Sequence, residues 1–266
     1  MRDDDHWWDL TWNPVAGCSP IPPGCDNCYA QKLAGTQQTA HRVSIYLGTT
    51  SWLRGKPIYN GTLTARPPAH DDWMKPFRLR GAAQPLLGPG RPSLLWAGSM
   101  CEIFHPKRLE PTLDLIVGIL ARSPHFGLLL TKIPRRMAAY FNSQPTDIQQ
   151  RWRRKLLLGF SAENQAWFDL RWPPMRDLAQ RGWFIFVSLA PMLGPVTLPA
   201  DFLALGERCW VIVSGEEGKD ARWMNPDWAR AVRDQCAAAS APFFMKQMSG
   251  ERPILDDLFI RQPPAL

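Results

Sequence analysis

Gly17-Cys18-Ser19-Pro20-Ile21-Pro22-Pro23-Gly24-Cys25-Asp26-Asn27-Cys28-Tyr29-Ala30 holds three of the chain's six cysteines, spaced C-x6-C-x2-C. Its prolines and glycines disfavour helix and strand, so the thiols sit on a stiff loop. Three thiolates converging on one point are what a [4Fe–4S] cluster needs if one iron is to stay open to an outside ligand. A closed zinc or iron–sulfur site takes a fourth protein ligand, and none lies at zinc-finger spacing. Cys18, Cys25 and Cys28 are therefore the candidate metal ligands. The plainer alternatives are a small zinc knuckle or three separately buried cysteines.

Outward from this loop, Asp9-Leu-Thr-Trp-Asn13 reads as a short strand that Pro14 ends. On the other side, Asp26 or Asn27 can cap a helix running through Tyr29 to Leu33. The order is strand, cluster loop (14–30), helix. Residues 35–57 show no period and read as an insertion or lid. Apolar runs then recur at Gly61–Thr64, Ser93–Ala97, Phe126–Leu130, Leu156–Phe160, Trp183–Val187, Trp210–Val213 and Pro242–Met245. Continuous apolar runs suit parallel strands covered on both faces. Amphipathic patterns separate most of them, at Pro106–Arg122, Pro134–Asn142, Gln165–Gln180 and Pro226–Ala239, with Asn225 as an N-cap before Pro226. Eight strands with helical connections predict an α/β fold. The expected form is a parallel, TIM-like (β/α) barrel, complete or partly open, spanning 1–266 as a single domain. Gly81–Pro92 is then a long loop. A doubly wound open sheet is the alternative.

At 45% hydrophobic residues the chain can build a sizeable core. No apolar run approaches a membrane span, and Met1-Arg-Asp-Asp-Asp-His-Trp-Trp8 resembles neither a signal nor a transit peptide. A cytosolic protein is expected, in which clustered cysteines bind metal rather than pair as disulfides. Cys209 and Cys236 lie in apolar or helical patterns and read as structural. The net charge of +7 and thirteen tryptophans suit nucleic acid or another polyanion. The same tryptophans would equally fill a core, and the arginine surplus a solvated face. Arg151-Trp-Arg-Arg-Lys155 is the densest basic run. The chain has no P-loop, no G-x-G-x-x-G after a strand, no H-E-x-x-H and no G-x-S-x-G, which disfavours the corresponding chemistries.

Barrel active sites lie at the C-terminal ends of the strands. The runs here end in Asn13, Arg66, Ser99-Met-Cys-Glu102, Thr131-Lys132, Ser161-Ala-Glu-Asn164, Ser188, Ser214-Gly-Glu-Glu217 and Lys246-Gln247. Glu163, Glu216 and Lys132 are the catalytic candidates. Ser99, Glu102, Ser161, Asn164, Ser188 and Lys246 are the cofactor-binding candidates. Each has a bland reading too, as a helix start, a solvated lysine or a tight turn. His105 is a weak candidate that more often would be a structural hydrogen-bonder.

Asn13-Pro14 to Gly17-Cys18, followed by Cys25-Asp-Asn-Cys28-Tyr29-Ala30, resembles the N-P-x-x-G-C…C-x-x-C-Y-A pattern of the spore-photoproduct-lyase-like branch of the radical S-adenosylmethionine superfamily. The whole chain looks closer still to a phage-borne family of unknown function. Trp12–Cys18, Leu130–Met137, Trp210–Gly218 and Pro226–Gln247 carry that likeness. The resemblance implies that Cys18, Cys25 and Cys28 ligate three irons of a [4Fe–4S] cluster. S-adenosyl-L-methionine would chelate the fourth and yield a 5′-deoxyadenosyl radical, with a reductant protein as electron source. The first cysteine gap is six residues where the superfamily has three. Its Gly-Gly-Glu element is replaced by Thr64-Ala-Arg-Pro67, which leaves Asn164, Glu163, Ser99 and Glu216 as candidates for the methionine group. A nucleic-acid base or nucleoside is the expected substrate class, in the host cytoplasm if the chain is phage-encoded. Two competing readings are a zinc- or cluster-stabilised binding module without catalysis, and a barrel hydrolase or lyase using Glu163 or Glu216 as base. Cys101, on the predicted rim, would close the cluster if it were a fourth ligand.

Overall fold

The computed structural model describes residues 6–266. The expectation about the extreme N-terminus falls largely on residues 1–5, outside the described residues. In chain order the elements begin with β1 (Leu10–Trp12), β2 (Val15–Ala16), α1 (Tyr29–Thr39), β3 (Thr50–Leu53), β4 (Lys56–Tyr59), β5 (Thr64–Ala65) and α2 (Lys75–Arg78). Next come β6 (Leu94–Ala97), α3 (Glu110–Arg122), β7 (Phe126–Thr131), α4 (Pro134–Asn142), α5 (Thr146–Trp152) and β8 (Leu156–Ser161). The last are α6 (Gln165–Gln180), β9 (Phe184–Leu189), α7 (Ala200–Leu203), β10 (Cys209–Ser214), α8 (Pro226–Ala238) and β11 (Phe243–Gln247).

Seven strands form one parallel sheet in the order β1-β6-β7-β8-β9-β10-β11. It curls into a half-barrel, so the barrel is the partly open form. The expected eighth strand, at Gly61–Thr64, is not in it. Thr64 and Ala65 form β5, which pairs antiparallel with β2 beside the cysteine loop. This run, with its exposed Thr62 and Ala65, has no apolar stretch to bury on both faces of a parallel sheet. The edge of β11 is covered instead by the C-terminal tail, where Met245 N donates to Ile260 O at 2.8 Å and Gln262 N to Phe243 O at 3.0 Å.

Alternation along the strands decides what each face does. Leu95, Leu129, Leu158, Ile185, Val187, Val211 and Val213 pack outward with Leu113, Ile116, Phe168 and Val232 of the helices. Trp96, Leu128, Leu157, Phe186, Trp210, Ile212 and Phe244 turn into the trough, where Trp7 joins them. Most tryptophans thus serve the core; Trp52 and Trp223 are the two above half exposed. Further along the strands, the inward places are taken by Ser188, Ser214 and Lys246, two residues past Phe186, Ile212 and Phe244, and by Ser161, four past Leu157. An aromatic floor carries a polar rim.

The helices follow the expected signals closely. Asn225 accepts from Asp227 N at 3.0 Å with Pro226 in the first turn. α3 begins at Glu110, four residues later than the Pro106 reading. α6 keeps its expected bounds although Pro173 and Pro174 lie inside it. An interior proline costs about 3 kcal/mol. Here Phe168, Trp172, Met175 and Leu178 bury one continuous face that offsets the cost. Residues 35–57, expected as an insertion or lid, contain the end of α1 and the β3–β4 hairpin lying on it. No helix among the described residues is long and apolar enough to cross a membrane.

Candidate active site

β1 ends at Trp12 and releases the cysteine loop over the C-terminal end of the sheet. Gly17 turns the chain at φ +91°, where any Cβ would lie 2.0 Å from Thr62 O. Below the loop lies a cavity of about 200 Å³. Cys18, Cys25 and Cys28 line one wall of it, with Cys101 beside them. Ser99, Glu102, Lys132, Ser161, Ser188, Glu216 and Lys246 line the rest, closed off by Trp7, Trp8 and Trp96. Nine of the candidate positions beyond the cysteines were named in sequence, and two of them, Glu163 and Asn164, stay outside the cavity wall.

Asn164 is the N-cap of α6, accepting from Trp167 N at 3.2 Å. Glu163 is fully buried beneath the cysteine loop, paired to Lys132 and, at 2.9 Å, to Arg171 Nη1. Arg171 also donates to Ser161 O at 2.9 Å and lies 4.2 Å over the Trp167 ring. Burial pulls its guanidinium down, and Glu163 pushes it back up. Gly24 rests on this pair: a Cβ there would meet Glu163 Oε1 at 2.1 Å. The loop can lie down on Glu163 because that position has no side chain.

Glu216, at the end of β10, anchors the loop from the opposite side. Its Oε2 accepts from Asn27 Nδ2 at 2.9 Å, Arg222 N at 2.9 Å and Arg222 Nε at 3.0 Å. Arg222 also donates to Asp26 Oδ2 at 3.1 Å and Pro23 O at 2.8 Å. Burial alone would raise the Glu216 carboxyl, but the Arg222 hydrogen bonds outweigh it and hold the carboxyl below its ordinary value. This network corrects the expected capping of α1. Asp26 and Asn27 are drawn to Arg222 and Glu216, and Cys28 takes the cap position with no side-chain hydrogen bond. Every carboxylate oxygen of Glu163 and Glu216 already has a donor, so both act here as supports. Arg222 and Arg171 were not legible as site residues. One lies in an unpatterned loop and the other reads as the polar face of an amphipathic helix.

Replacing Arg222 by alanine is expected to destabilise the fold by about 1.5–3 kcal/mol at neutral pH. With the Glu216 pKa depressed in the folded state, this contribution is present above the unfolded carboxyl pKa. It is lost as pH falls through the lower, folded-state value. Urea unfolding of both proteins between pH 3 and 7 checks this. A difference independent of pH would contradict it.

Glu102 is buried beneath the cysteines and accepts from Thr131 Oγ1 at 2.7 Å, Phe104 N at 2.9 Å and Lys132 N at 3.0 Å. Burial raises its carboxyl despite these donors. Ser99 Oγ accepts from Asn13 Nδ2 at 3.0 Å, and its carbonyl from the Tyr29 hydroxyl at 2.6 Å. Lys246 pairs with Glu217 and lies 5.9 Å over the Trp8 ring. Ser161 and Ser188 stand in direct register across β8 and β9. Arg66 is off the sheet, paired to Asp72 at 2.7 Å. His105 is a hydrogen-bonder, with Nε2 2.9 Å from Ser19 Oγ and Nδ1 accepting from Lys107 N at 3.2 Å.

Burial and mutual repulsion act on these thiols. Burial pushes Cys18 well above the ordinary thiol range, and Glu102, Cys25, Cys28 and Cys101 push it further. Cys28 is raised by burial and by Cys25, and Cys101 is pushed up to about 12 by burial. Crowded, desolvated thiols of this kind are stabilised as thiolates by a bound cation. Among the described residues no three His, Cys, Asp or Glu side chains stand at metal-binding spacing as their rotamers lie. The donor set fits a cluster by its residue type and its shared wall.

A family model described as "Protein of unknown function (DUF5131)" matches residues 4–255. The chain belongs to the DUF5131 family. That match carries no phage origin. No curated protein matches. The fold of this family member is similar to that of spore photoproduct lyase. A cysteine-to-serine mutant of that enzyme superposes with a TM-score of 0.52 at 11% identity, covering 92% of this chain and 79% of the other. A cysteine-to-alanine mutant with dinucleoside spore photoproduct gives 0.51 at 12%, covering 87% and 75%. At such identities the likeness is one of fold.

Proposed function

We propose that this chain is a radical S-adenosylmethionine enzyme acting on a nucleic-acid base or nucleoside. The observation that carries the reading is the three-cysteine loop that leaves β1 and forms one wall of a cavity at the C-terminal end of a parallel half-barrel. The likeness in fold to spore photoproduct lyase supports it. Cys18, Cys25 and Cys28 would hold a [4Fe–4S] cluster and leave one iron for S-adenosyl-L-methionine. When bound, the cluster supplies the electron, received from a reductant protein, that cleaves the sulfonium into methionine and a 5′-deoxyadenosyl radical.

The protein's own residues do the rest. Glu216 pins the cysteine loop through Asn27, and Glu163, held by Lys132 and Arg171, is the surface on which Gly24 packs. Lys132 brings positive charge to the thiol wall and offsets part of the rise that burial imposes on Cys28. Ser161, Ser188 and Ser214 offer hydroxyls along the rim, and Ser99 lies opposite. Trp7, Trp8 and Trp96 exclude water from the floor. Anaerobic reconstitution with iron, sulfide and zinc analysis tests the reading, followed by EPR of the reduced protein with and without the cofactor. About four irons per chain and a cofactor-shifted signal are expected. One zinc per chain, or a cluster indifferent to the cofactor, would refute it.

Cys101 supports a second reading, in which a fourth thiol closes the site and the metal merely braces a binding module. It forms a backbone bridge with Gly17 and lines the same wall. Under the enzyme reading, Cys101→Ser keeps the full metal content and the cofactor-dependent signal. Loss of the metal would favour the brace.

A further inference from the structure

From Asn27 to His70 the chain contains no aspartate or glutamate, yet it carries Lys32, Arg42, Arg54, Lys56 and Arg66. This one lobe, α1 with the β3–β4 hairpin and its flanks, supplies five of the net +7 charges. Arg66 and Lys56 are paired to Asp72 and Asp220. Arg42 and Arg54 are exposed and have no acidic partner among the described residues. Between the charges the hairpin presents Trp52 at 55% and Leu53 at 59% exposure. Two adjacent large apolar side chains at that exposure, beside exposed arginines, suit a binding face rather than a core.

The hairpin tip is built to hold this display. Arg54 and Gly55 form its two-residue turn with φ +50° and +76°, the double left-handed geometry of a tight hairpin. Asparagine, aspartate or glycine usually fills the first of these places, and an arginine there is sterically disfavoured. The hairpin is fixed to its helix: Gln38 holds Thr50 from both sides of the peptide, and Gln31 Oε1 accepts from Tyr59 N at 3.0 Å. It also reaches the cavity rim. Lys56 Nζ lies 3.1 Å from Asp220 Oδ2, and Asp220 O accepts from Asn27 Nδ2 at 3.3 Å. Asn27 lines the cavity.

We propose that the β3–β4 hairpin is the docking surface for a single strand of nucleic acid, with Trp52 as the stacking platform for a base and Arg54 and Arg42 on its phosphates. An aromatic face serves any base, while guanidinium groups track the backbone. The inference rests on the reading of the substrate as nucleic-acid-derived, but not on the cluster. A strand held here runs past the rim that opens onto the cysteine wall.

Fluorescence anisotropy with a labelled single-stranded oligonucleotide tests it, on the wild type, Trp52→Ala, Arg54→Glu and Cys236→Ala. The wild type and Cys236→Ala are expected to bind alike. Trp52→Ala is expected to bind five- to a hundredfold more weakly. Arg54→Glu is expected to bind more weakly and to flatten the salt dependence by about 0.7 in slope. Equal binding by all four proteins, or none by the wild type, overturns the proposal. So does a Trp52→Ala defect confined to anionic phosphatidylserine vesicles, or one confined to self-association in sedimentation. A wild type that binds strand but fails the cofactor-shifted EPR test would sink the enzyme reading and leave this surface standing.

Discussion

Serine at position 18, 25 or 28 is expected to remove the metal from the protein and reduce cofactor cleavage to background. Each substitution changes a single atom, so packing is nearly conserved and the effect reports ligand chemistry. The ligand must be anionic, and a serine hydroxyl does not ionise near neutral pH as a thiol beside a metal does. Cys18 and Cys28 are already raised by burial and by neighbouring negative groups. Under the proposed cluster reading, a set of three thiolate ligands cannot lose one member and keep a cluster with an open iron. Cys236→Ala supplies the control, because Cys236 is buried on the outer side of the sheet with Cys209. It is expected to lose some stability and no iron. Full iron in Cys25→Ser after anaerobic reconstitution would end the cluster assignment.

Truncating Glu163 to alanine is the other large effect, expected at about 3–5 kcal/mol of stability. The carboxylate is fully buried between Lys132 and Arg171, and Arg171 is itself only 2% exposed. Removing the anion leaves a buried guanidinium without its partner, and that desolvated charge is the source of the cost. For a chain of this size the melting temperature should fall by roughly 10 °C, at about 2–4 °C per kcal/mol. Glu163→Met combined with Arg171→Met should recover part of the loss, since neither charge is then stranded. A single-variant loss below about 1 kcal/mol would mean that water reaches the pair. The cysteine loop should loosen as well, because Gly24 rests on this carboxylate.

Much of the fold could be read from apolar runs. β6 to β11 and helices α4, α6 and α8 lie where the runs and caps placed them, since buried parallel strands need no polar alternation to be recognised. The same property hid which residues face the trough. Both faces of β10 are apolar, so Trp210 and Val211 look alike in sequence although one floors the cavity and the other meets the helices. The loss of the eighth strand has a related cause, because Thr64 and Ala65 have strand propensity but no apolar run to bury. At the site, the strand-end rule found Ser161, Ser188, Glu102 and Lys246 because barrel geometry alone brings such positions together. It could not separate Asn164, whose amide closes a helix, from its neighbours. Arg222 was beyond reach, since its partners Pro23, Asp26 and Glu216 meet it only through the tertiary fold.

Those same partners set a timetable for the molecule's birth. The cysteine loop is pinned by Asn27–Glu216, Arg222–Asp26 and Arg222–Pro23 hydrogen bonds that span 189, 196 and 199 positions of chain. Contacts so distant close late, after the entropy of a very long loop has been overcome. The three thiols leave the ribosome long before the Glu216 and Arg222 side chains that pin their loop. The proposed metal would therefore enter only once β10 and the residues after it have been made, and a nascent chain halted before β10 would present its cysteines as an open, unshaped loop.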